Sequence, residues 1–423
     1  MMKGVILAAG KSTRLQPVTE NISKCMLPVG GRPILEYSLD SMNRCGIHEI
    51  AIVVNSSNLD HIKNHFGDTY GNAHLTYIVQ DERRRGSAAA LMSALPFFKG
   101  EDALVIAGDV IAEFPDVKSL IDFHVRHKGA GSMLLAQVSD PKHYGIAQLD
   151  GNKVVDIIEK PANPKTNLAN ASVYVMGARF AQEIEKVGVS ERGEYEITSA
   201  LYELCNEGLL YGLIAKGYWN DIGTPWGLLS ANEHFMERLA PSIKGSVKES
   251  TITGNVVIEE GAQVFNSYIE GPCYISRGAI VGPFAHIRKY TYLGPNVEVG
   301  GSTIVKNSIL LEGTKAKHLS YIGDSIIGTN CNFGSSTQVA NLRFDRGTIK
   351  MFLNGNEYDS GRHKLGCVVG PNVNFGVGSL IMPGRKIGGN SVISPGAIIS
   401  NDVPPNTRVI VKQSIEHIPL NSG

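Results

Sequence analysis

Across the back of the chain, aliphatic residues recur at every sixth position. One series is Ile275, Val281, Ile287, Leu293, Val299, Val305 and Leu311; another is Val369, Phe375, Ile381, Ile387, Ile393 and Ile399; Ile327, Phe333 and Val339 make a shorter third. This period matches neither a helix face nor a simple alternating strand. It is the pattern of a left-handed parallel β-helix, in which each hexad lays one flat side and three sides close a triangular coil. Small or apolar residues stand four positions after many of the aliphatics: Ala279, Ala285, Thr291, Val297, Thr303, Ser379, Ser391 and Ala397. Glycine and asparagine can turn the corners, because they tolerate backbone conformations that other residues resist. The expected β-helix spans 250–400 and is followed by a tail at 401–423. Residues 340–368 break the series, with Asp345, Met351, Glu357 and His363 at the repeat positions. This stretch reads as an extended loop thrown out of the coil, and long loops of this kind often carry function.

The front of the chain has a different rhythm. Strand-like runs at 4–9, 50–54, 75–79, 103–107 and 132–138 alternate with helical stretches at 33–45, 86–98, 117–128 and 194–207. Such alternation predicts an α/β, Rossmann-like domain over 1–233 with a mostly parallel sheet. Ligands of these sheets bind at the carboxyl ends of the strands. That placement draws attention to the Gly10 turn after the first strand and to Gly108-Asp109 after the fourth. A helix over 224–239, capped by Thr224 with Pro225 in its first turn, begins a linker over 224–245 that ends near Pro241 and Gly245.

Composition narrows the function. Lys plus Arg and Asp plus Glu each number 40, so no basic excess points to nucleic acid and no charge run to a membrane surface. No apolar stretch approaches the roughly 18 residues of a membrane span, and Lys3 leads directly into Val5-Ile6-Leu7 without a signal-peptide pattern. Six scattered cysteines with no CxxC argue against a disulfide framework or a zinc site, so the expected location is the reducing cytoplasm.

Residues 4–13, GVILAAGKST, are nearly a phosphate loop, but GxxxxGK[ST] needs one residue fewer between Gly4 and Gly10-Lys11-Ser12. By itself the stretch could be an ordinary strand-to-helix turn. The longer string LAAGKSTRLQPVTENISKCMLP resembles the signature of sugar-1-phosphate nucleotidyltransferases, LxxGxGTRLxPxTxxxSKxxLP, with Ser12 in place of the second glycine. The resemblance implies that the backbone of Leu7, Ala8, Ala9 and Gly10 approaches the nucleotide. Arg14 and Lys24 would neutralise its phosphates, leaving Lys11 a secondary role at most. Further matches follow in the family's order. Gln80 and Gly86-Ser87 resemble the base-reading segment, and Tyr144-Gly145 a sugar-contacting turn. Glu159-Lys160-Pro161 matches the segment that holds sugar hydroxyls and sugar phosphate, and Asn170 matches the asparagine before the next strand, although Ser172 stands where glycine is commoner. Asp109 and Asp221, within Gly-Asp and W-x-D-x-G-T segments, match the two carboxylates for Mg²⁺. The implied reaction is attack of a sugar-1-phosphate oxygen on the α-phosphorus of UTP or dTTP. The anionic nucleophile needs no general base, so catalysis rests on positioning and charge neutralisation. The Ser23-Lys24 pair and its spacing look more like enzymes that act on glucose-1-phosphate than like the common N-acetylglucosamine-1-phosphate branch.

In the back half, VKNSILLEGTKAKHLSYIGD (305–324) resembles the acetyltransferase domain of bifunctional enzymes that acetylate glucosamine-1-phosphate and then uridylylate it. The resemblance makes His318 the base and assigns Lys306, Tyr321, Asn332, Asn341 and Lys364 to the amino-sugar phosphate, with glucosamine- or galactosamine-1-phosphate as substrate. A base is required because an ammonium cannot attack a thioester, and an ordinary imidazole, titrating near ~6.5, can serve at neutral pH. Acetyl-CoA would lie along the coils at roughly 376–397. Family sites of this kind form between subunits, implying a homotrimer or a dimer of trimers. The competing reading is a single-activity thymidylyl- or uridylyltransferase whose β-helix only trimerises or binds a regulator. A non-enzymatic binding module would leave the ordered carboxylates and cations unexplained.

Overall fold

The structure is a computed structural model describing residues 2–10, 12–98, 100–127 and 129–419. It divides into two compact units. The first holds the N-terminal residues through Ser12, Ile22–Leu27 and Arg32–Gly223; the second holds Thr13–Asn21, Pro28–Gly31 and everything from Thr224 onward.

The first unit is built on a sheet of ten strands. Its apolar strands Lys3–Leu7, Glu49–Val54, Ala73–Val79 and Ala103–Ala107 pair in parallel, with Lys3–Leu7 between Glu49–Val54 and Ala103–Ala107. Both faces of this half are covered, so Val5, Ile6, Ile52 and Val53 are fully buried, as expected of continuous hydrophobic strands in parallel sheets. The other half is mixed. Leu168–Met176 runs antiparallel to both Ala103–Ala107 and Gly131–Gln137, and Gly145–Asp150 and Lys153–Glu159 form an antiparallel hairpin. A mostly parallel sheet therefore describes one side of this unit and not the other. Helices Ile34–Arg44, Ser87–Ala94, Phe114–His127 and Ile197–Asn206 occupy the four stretches of helical pattern.

In the second unit, short parallel strands stack into three sheets of eight, nine and eight strands. The six-spaced aliphatics and the small residues between them form one continuous core in which Ile275, Val281, Ile287, Leu293, Ala279 and Val297 are fully buried. The period is not strict throughout: the core steps by five residues from Val264 to Ile269, from Val305 to Leu310 and from Ile322 to Ile327, so Leu293 pairs with Leu310, not Leu311. Asn296, Asn330, Asn372 and Asn390 turn corners with φ between 55° and 58°, and the Asn372 amide donates to Asn390 Oδ1 at 2.9 Å. Stacking begins before 250, at Ser242–Ile243, and continues past 400, to Arg408–Val409.

Helix Pro225–Met236 belongs to this unit. Thr224 caps it by accepting from the Gly227 amide at 3.1 Å. The excursion after residue 340 has a structure of its own. An antiparallel hairpin pairs Lys350–Leu353 with Asn356–Asp359, and Ile349, Met351 and Leu353 are buried. Leu342 bridges Lys364 at its base, and the coil resumes when Cys367–Val369 pairs with Ile326–Ile327.

Candidate functional site

The four parallel strands of the first unit end at Leu7, Val54, Val79 and Ala107. Their carboxyl ends deliver the turn at Ala8–Gly10, Asn55, Gln80 and Gly108-Asp109. The turn is tightly held: the Asn58 amide donates to the Ala8 carbonyl at 2.9 Å and the Asn55 amide to the Ala9 carbonyl at 3.0 Å. Gly108 donates its N–H to the Leu7 carbonyl at 2.9 Å. A Cβ on Gly108 would meet Leu7 O at 3.0 Å and Ala8 Cβ at 3.1 Å, so the two turns lie close together here. Ser12, where the signature has glycine, keeps a left-handed backbone at φ 54°. Lys11 lies outside the described residues. Arg14 is on the short 3-10 turn Thr13–Leu15, which belongs to the second unit.

Asp109 and Asp221 come together through a two-stranded ladder. Trp219–Asp221 pairs antiparallel with Val110–Ala112, and the Ile222 amide donates to the Asp109 carbonyl at 3.1 Å. Lys24, 8% exposed, sits between the two carboxylates. Its ammonium contacts Asp109 closely and lies 3.9 Å from Asp221. Two carboxylates converging on one cation form an oxygen donor pair that suits Mg²⁺, which keeps much of its shell for water and phosphate. Among the described residues no group of three or more His, Cys, Asp or Glu side chains could hold a metal ion.

Gly86 has φ 116°, and a Cβ there would meet the Tyr195 carbonyl at 2.2 Å, so this corner requires glycine. Ser87 Oγ accepts from the Ile197 amide at 3.1 Å, and the Gln80 side-chain amide donates to the Arg84 carbonyl at 2.8 Å. Gly145 pairs with Glu159 across the hairpin. A Cβ on Gly145 would sit 3.0 Å from Glu159 Oε2 and 3.6 Å from Asn170 Cβ, so Gly145, Glu159 and Asn170 form one cluster. Lys160 Nζ lies 3.8 Å from Glu159 Oε1. Ser172, also in place of glycine, has φ 56° and donates its backbone N–H to Asn170 Oδ1 at 3.0 Å. Arg192, not anticipated from the sequence, lies 3.4 Å from Glu159 and 3.3 Å from Glu196. Burial first, and the nearby Glu159 charge second, push the Glu196 carboxyl up. The charged run Glu194-Tyr195-Glu196 ahead of a helix was the available signal.

In the second unit a cavity of about 610 Å³ is lined by Lys306, Lys364, Arg288, Lys289, Arg362 and His363 among others. Asp324, 2% exposed, is its hub. It accepts from the Asn307 amide at 2.8 Å, from Lys306 at 3.3 Å and from the Asn341 amide, which also donates to Tyr321 Oη at 3.1 Å. Gly323 leaves room for this network, because a Cβ there would lie 2.5 Å from Tyr321 Oη and 2.7 Å from the Asn341 amide nitrogen and would push them aside. Burial pushes the Tyr321 phenol up, so it stays a neutral hydroxyl. From the helix, Glu233 pairs with Arg362 and accepts from Asn307 at 2.8 Å. Arg288 is the main residue missed by sequence reading. It stands on the coil before Lys306, and only stacking of coils brings the two into one cavity. His318 lines a second cavity of about 340 Å³ with Glu298, Lys317 and Pro283. Asn332 is exposed on a strand paired with Asn374–Phe375. The residues assigned to acetyl transfer are thus dispersed over more than one place within a single chain.

Comparison with known proteins follows the same division. A nucleotidyl transferase family model matches residues 3–238, and one for the GMPPB C-terminal domain matches 269–378. The chain is 41% identical over 423 residues to the bifunctional protein GlmU of Methanococcus vannielii, covering 98% of this chain and 99% of that one. It is 37% identical over 406 residues to a bifunctional sugar-1-phosphate nucleotidylyltransferase/acetyltransferase of Sulfurisphaera tokodaii, covering 95% and 98%.

The chain belongs to this bifunctional family.

A solved glucose-1-phosphate thymidylyltransferase from Bacillus anthracis, in complex with sucrose, is similar at 31% identity and TM-score 0.52, covering 56% of this chain and 95% of that chain. Full-length similarity to bifunctional relatives weighs against the single-activity reading. Among the described residues no helix is long and apolar enough to cross a membrane.

Proposed function

We propose that this chain carries out the last two steps to a nucleotide sugar: N-acetylation of an amino-sugar 1-phosphate in the second unit, then nucleotidyl transfer in the first. The observation that carries the reading is that each unit gathers its own polar set. Lys24 lies between Asp109 and Asp221 in one, and Asp324 ties Lys306 to Asn341 in the other.

For nucleotidyl transfer, the turn at Leu7–Gly10 presents backbone to UTP or dTTP, and Gln80, Gly86 and Ser87 border the base. Glu159 and Asn170 hold sugar hydroxyls beside Gly145, and Lys160 holds the sugar phosphate. The phosphate oxygen of the sugar forms a bond to the α-phosphorus as the bond to the β-phosphate oxygen breaks, releasing pyrophosphate. Lys24 and Arg14 offset the charge that grows there. Asp109 and Asp221 would hold Mg²⁺, which when bound supplies further neutralisation of phosphate oxygens.

For acetyl transfer, His318 takes a proton from the ammonium, and the freed amine nitrogen attacks the thioester carbon of acetyl-CoA; the carbon–sulfur bond breaks, the nitrogen's second proton passes to the departing thiolate, and His318 returns its own proton to solvent. Lys306, Lys364 and Arg288 hold the sugar phosphate, while Tyr321, Asn341 and Asn332 orient the sugar. That His318 lines a different cavity from Lys306 supports a site completed by another copy of the chain, hence a homotrimer of left-handed coils or a dimer of trimers. The cytoplasm, where the nucleotide and acetyl-CoA are available, is the expected location. N-acetylglucosamine- and glucose-1-phosphate remain the candidate acceptors at the first unit. Incubating the chain with UTP or dTTP against both sugars should release pyrophosphate, and acetyl-CoA with glucosamine- or galactosamine-1-phosphate should release CoA. Pyrophosphate without CoA would return the β-helix to a scaffold.

A further inference from the structure

Helix Pro225–Met236 reads from the sequence as a linker, yet within the second unit its Glu233 lines the same cavity as Lys306 and Lys364. The helix is fastened to the coil. Asn232, fully buried, donates its side-chain amide to the Tyr290 carbonyl at 2.9 Å, and the Tyr290 hydroxyl bonds to Glu237 just past the helix. Tyr290 follows Arg288 and Lys289, two cations of the cavity. Glu233 ties the helix to the excursion as well. Its Oε1 accepts from the Arg362 guanidinium and, at 2.8 Å, from the Asn307 amide; Arg362 Nη1 also donates to Ser230 Oγ at 3.0 Å. The Asn307 amide donates in turn to buried Asp324 at 2.8 Å. Arg362 lies on the stem by which the excursion returns to the coil. Two residues on, Lys364 bridges Leu342, and the Leu365 and Gly366 amides donate to the Asn341 carbonyl at 3.0 Å and the Asp324 carbonyl at 2.8 Å. Coil, helix and stem thus share one polar network, and they meet at Glu233 Oε1.

We infer that Glu233 is a positioning residue for acetyl transfer: by holding Arg362 it fixes the stem, and with it Lys364, in the cavity that takes the amino-sugar phosphate. The inference rests on the proposed role of Lys306 and Lys364 in that cavity. The division of charge fits it. Asp324 pairs with Lys306 at 3.3 Å, Glu270 with Arg288 at 3.5 Å and Glu233 with Arg362. Lys364 forms no ion pair among the described residues, so its charge is left for an anion. Glu233 therefore neutralises the stem cation that anchors the wall and leaves the one that meets substrate. The helix becomes part of the acetyl-acceptor site rather than a spacer.

The test uses the full-length chain with Glu233→Ala, Glu233→Gln, Arg362→Ala and Lys364→Ala, assayed for CoA release from acetyl-CoA and glucosamine-1-phosphate. Glu233→Ala should raise KM for the amino-sugar phosphate about three- to tenfold, the effect of a lost hydrogen bond in a partly exposed network. Its kcat and its KM for acetyl-CoA should stay within about twofold, because a displaced phosphate cation is felt in binding of that one substrate. Arg362→Ala should show the same split. Glu233→Gln should recover most of the loss, since both bonds fall on Oε1 and an amide oxygen accepts in its place. Pyrophosphate release should stay within about twofold in every variant. An unchanged KM for the amino-sugar phosphate in Glu233→Ala would overturn the inference. So would an equal rise in both KM values, or a fall in both activities with a lowered Tm, since that is loss of fold rather than of position. If the unaltered chain releases no CoA, or Lys364→Ala leaves KM for the amino-sugar phosphate unchanged, the proposed site fails and this inference with it. If Lys364→Ala raises that KM and Glu233→Ala does not, only the inference fails.

Discussion

At the scale of single residues, chemistry depends on which cation meets which carboxylate. The near phosphate loop tempts a reader to make Lys11 essential, but buried Lys24 is the lysine between Asp109 and Asp221. Lys24→Ala should lower kcat for nucleotidyl transfer by about 10²–10³, the usual effect of removing a preorganised charge from a transition state. Lys11→Ala should cost far less, and steady-state pyrophosphate release would expose the opposite ranking. Beside His318, Glu298 pairs with Lys317 and, at 2.9 Å, with Lys315, and these hydrogen bonds hold its carboxyl below the usual range. A depressed acid adds stability above its unfolded pKa and loses it as pH falls through the folded one. Glu298→Gln should therefore lower Tm at pH 7 and match the parent in strong acid; an equal deficit at both would deny the charge a role. Ser12 and Ser172 show what a signature can hide. Each replaces a glycine but keeps the left-handed backbone glycine would adopt, so Ser12→Gly should be tolerated while Ser12→Val should cost about 1–2 kcal/mol in strain.

At the scale of elements, legibility followed periodicity. The six-residue repeat announced the β-helix because one aliphatic per side must stack on every coil, whatever the neighbours do. Ile381, fully buried between Val339 and Ile399 in the third sheet, illustrates the load on each position. Ile381→Ala should cost about 2–5 kcal/mol, visible as a lower Tm or denaturation midpoint, and a near-neutral result would mean the coil collapses around the gap. The same frame obscured the hairpin. Ile349, Met351 and Leu353 alternate with exposed Lys350 and Phe352, a two-residue period that reads only as interruption when six is expected. The displaced corner at Leu310 was hidden for a related reason, since Leu310 and Leu311 are both apolar and only strand pairing chooses between them. The mixed half of the first sheet was beyond local reading: nothing within Leu168–Met176 says that it inserts between two distant strands in the opposite direction.

At the scale of the whole molecule, two chemistries share one chain, and the sites differ in how local they are. The carboxylates and Lys24 could be read from ordered matches because a ladder between Trp219–Asp221 and Val110–Ala112 brings them together. The acetyl-transfer set could be named but not assembled: Arg288 joins Lys306 only through coil stacking, and His318 lines a separate cavity. The two activities should therefore be separable within one chain. The most direct measurement is the His318→Ala variant, assayed with acetyl-CoA plus glucosamine-1-phosphate and, in parallel, with nucleotide plus N-acetylglucosamine-1-phosphate. CoA release should fall by about 10²–10⁴, the range of a lost general base, while pyrophosphate release stays within twofold. Unchanged CoA release, or equal collapse of both activities in a folded protein, would contradict the division of labour.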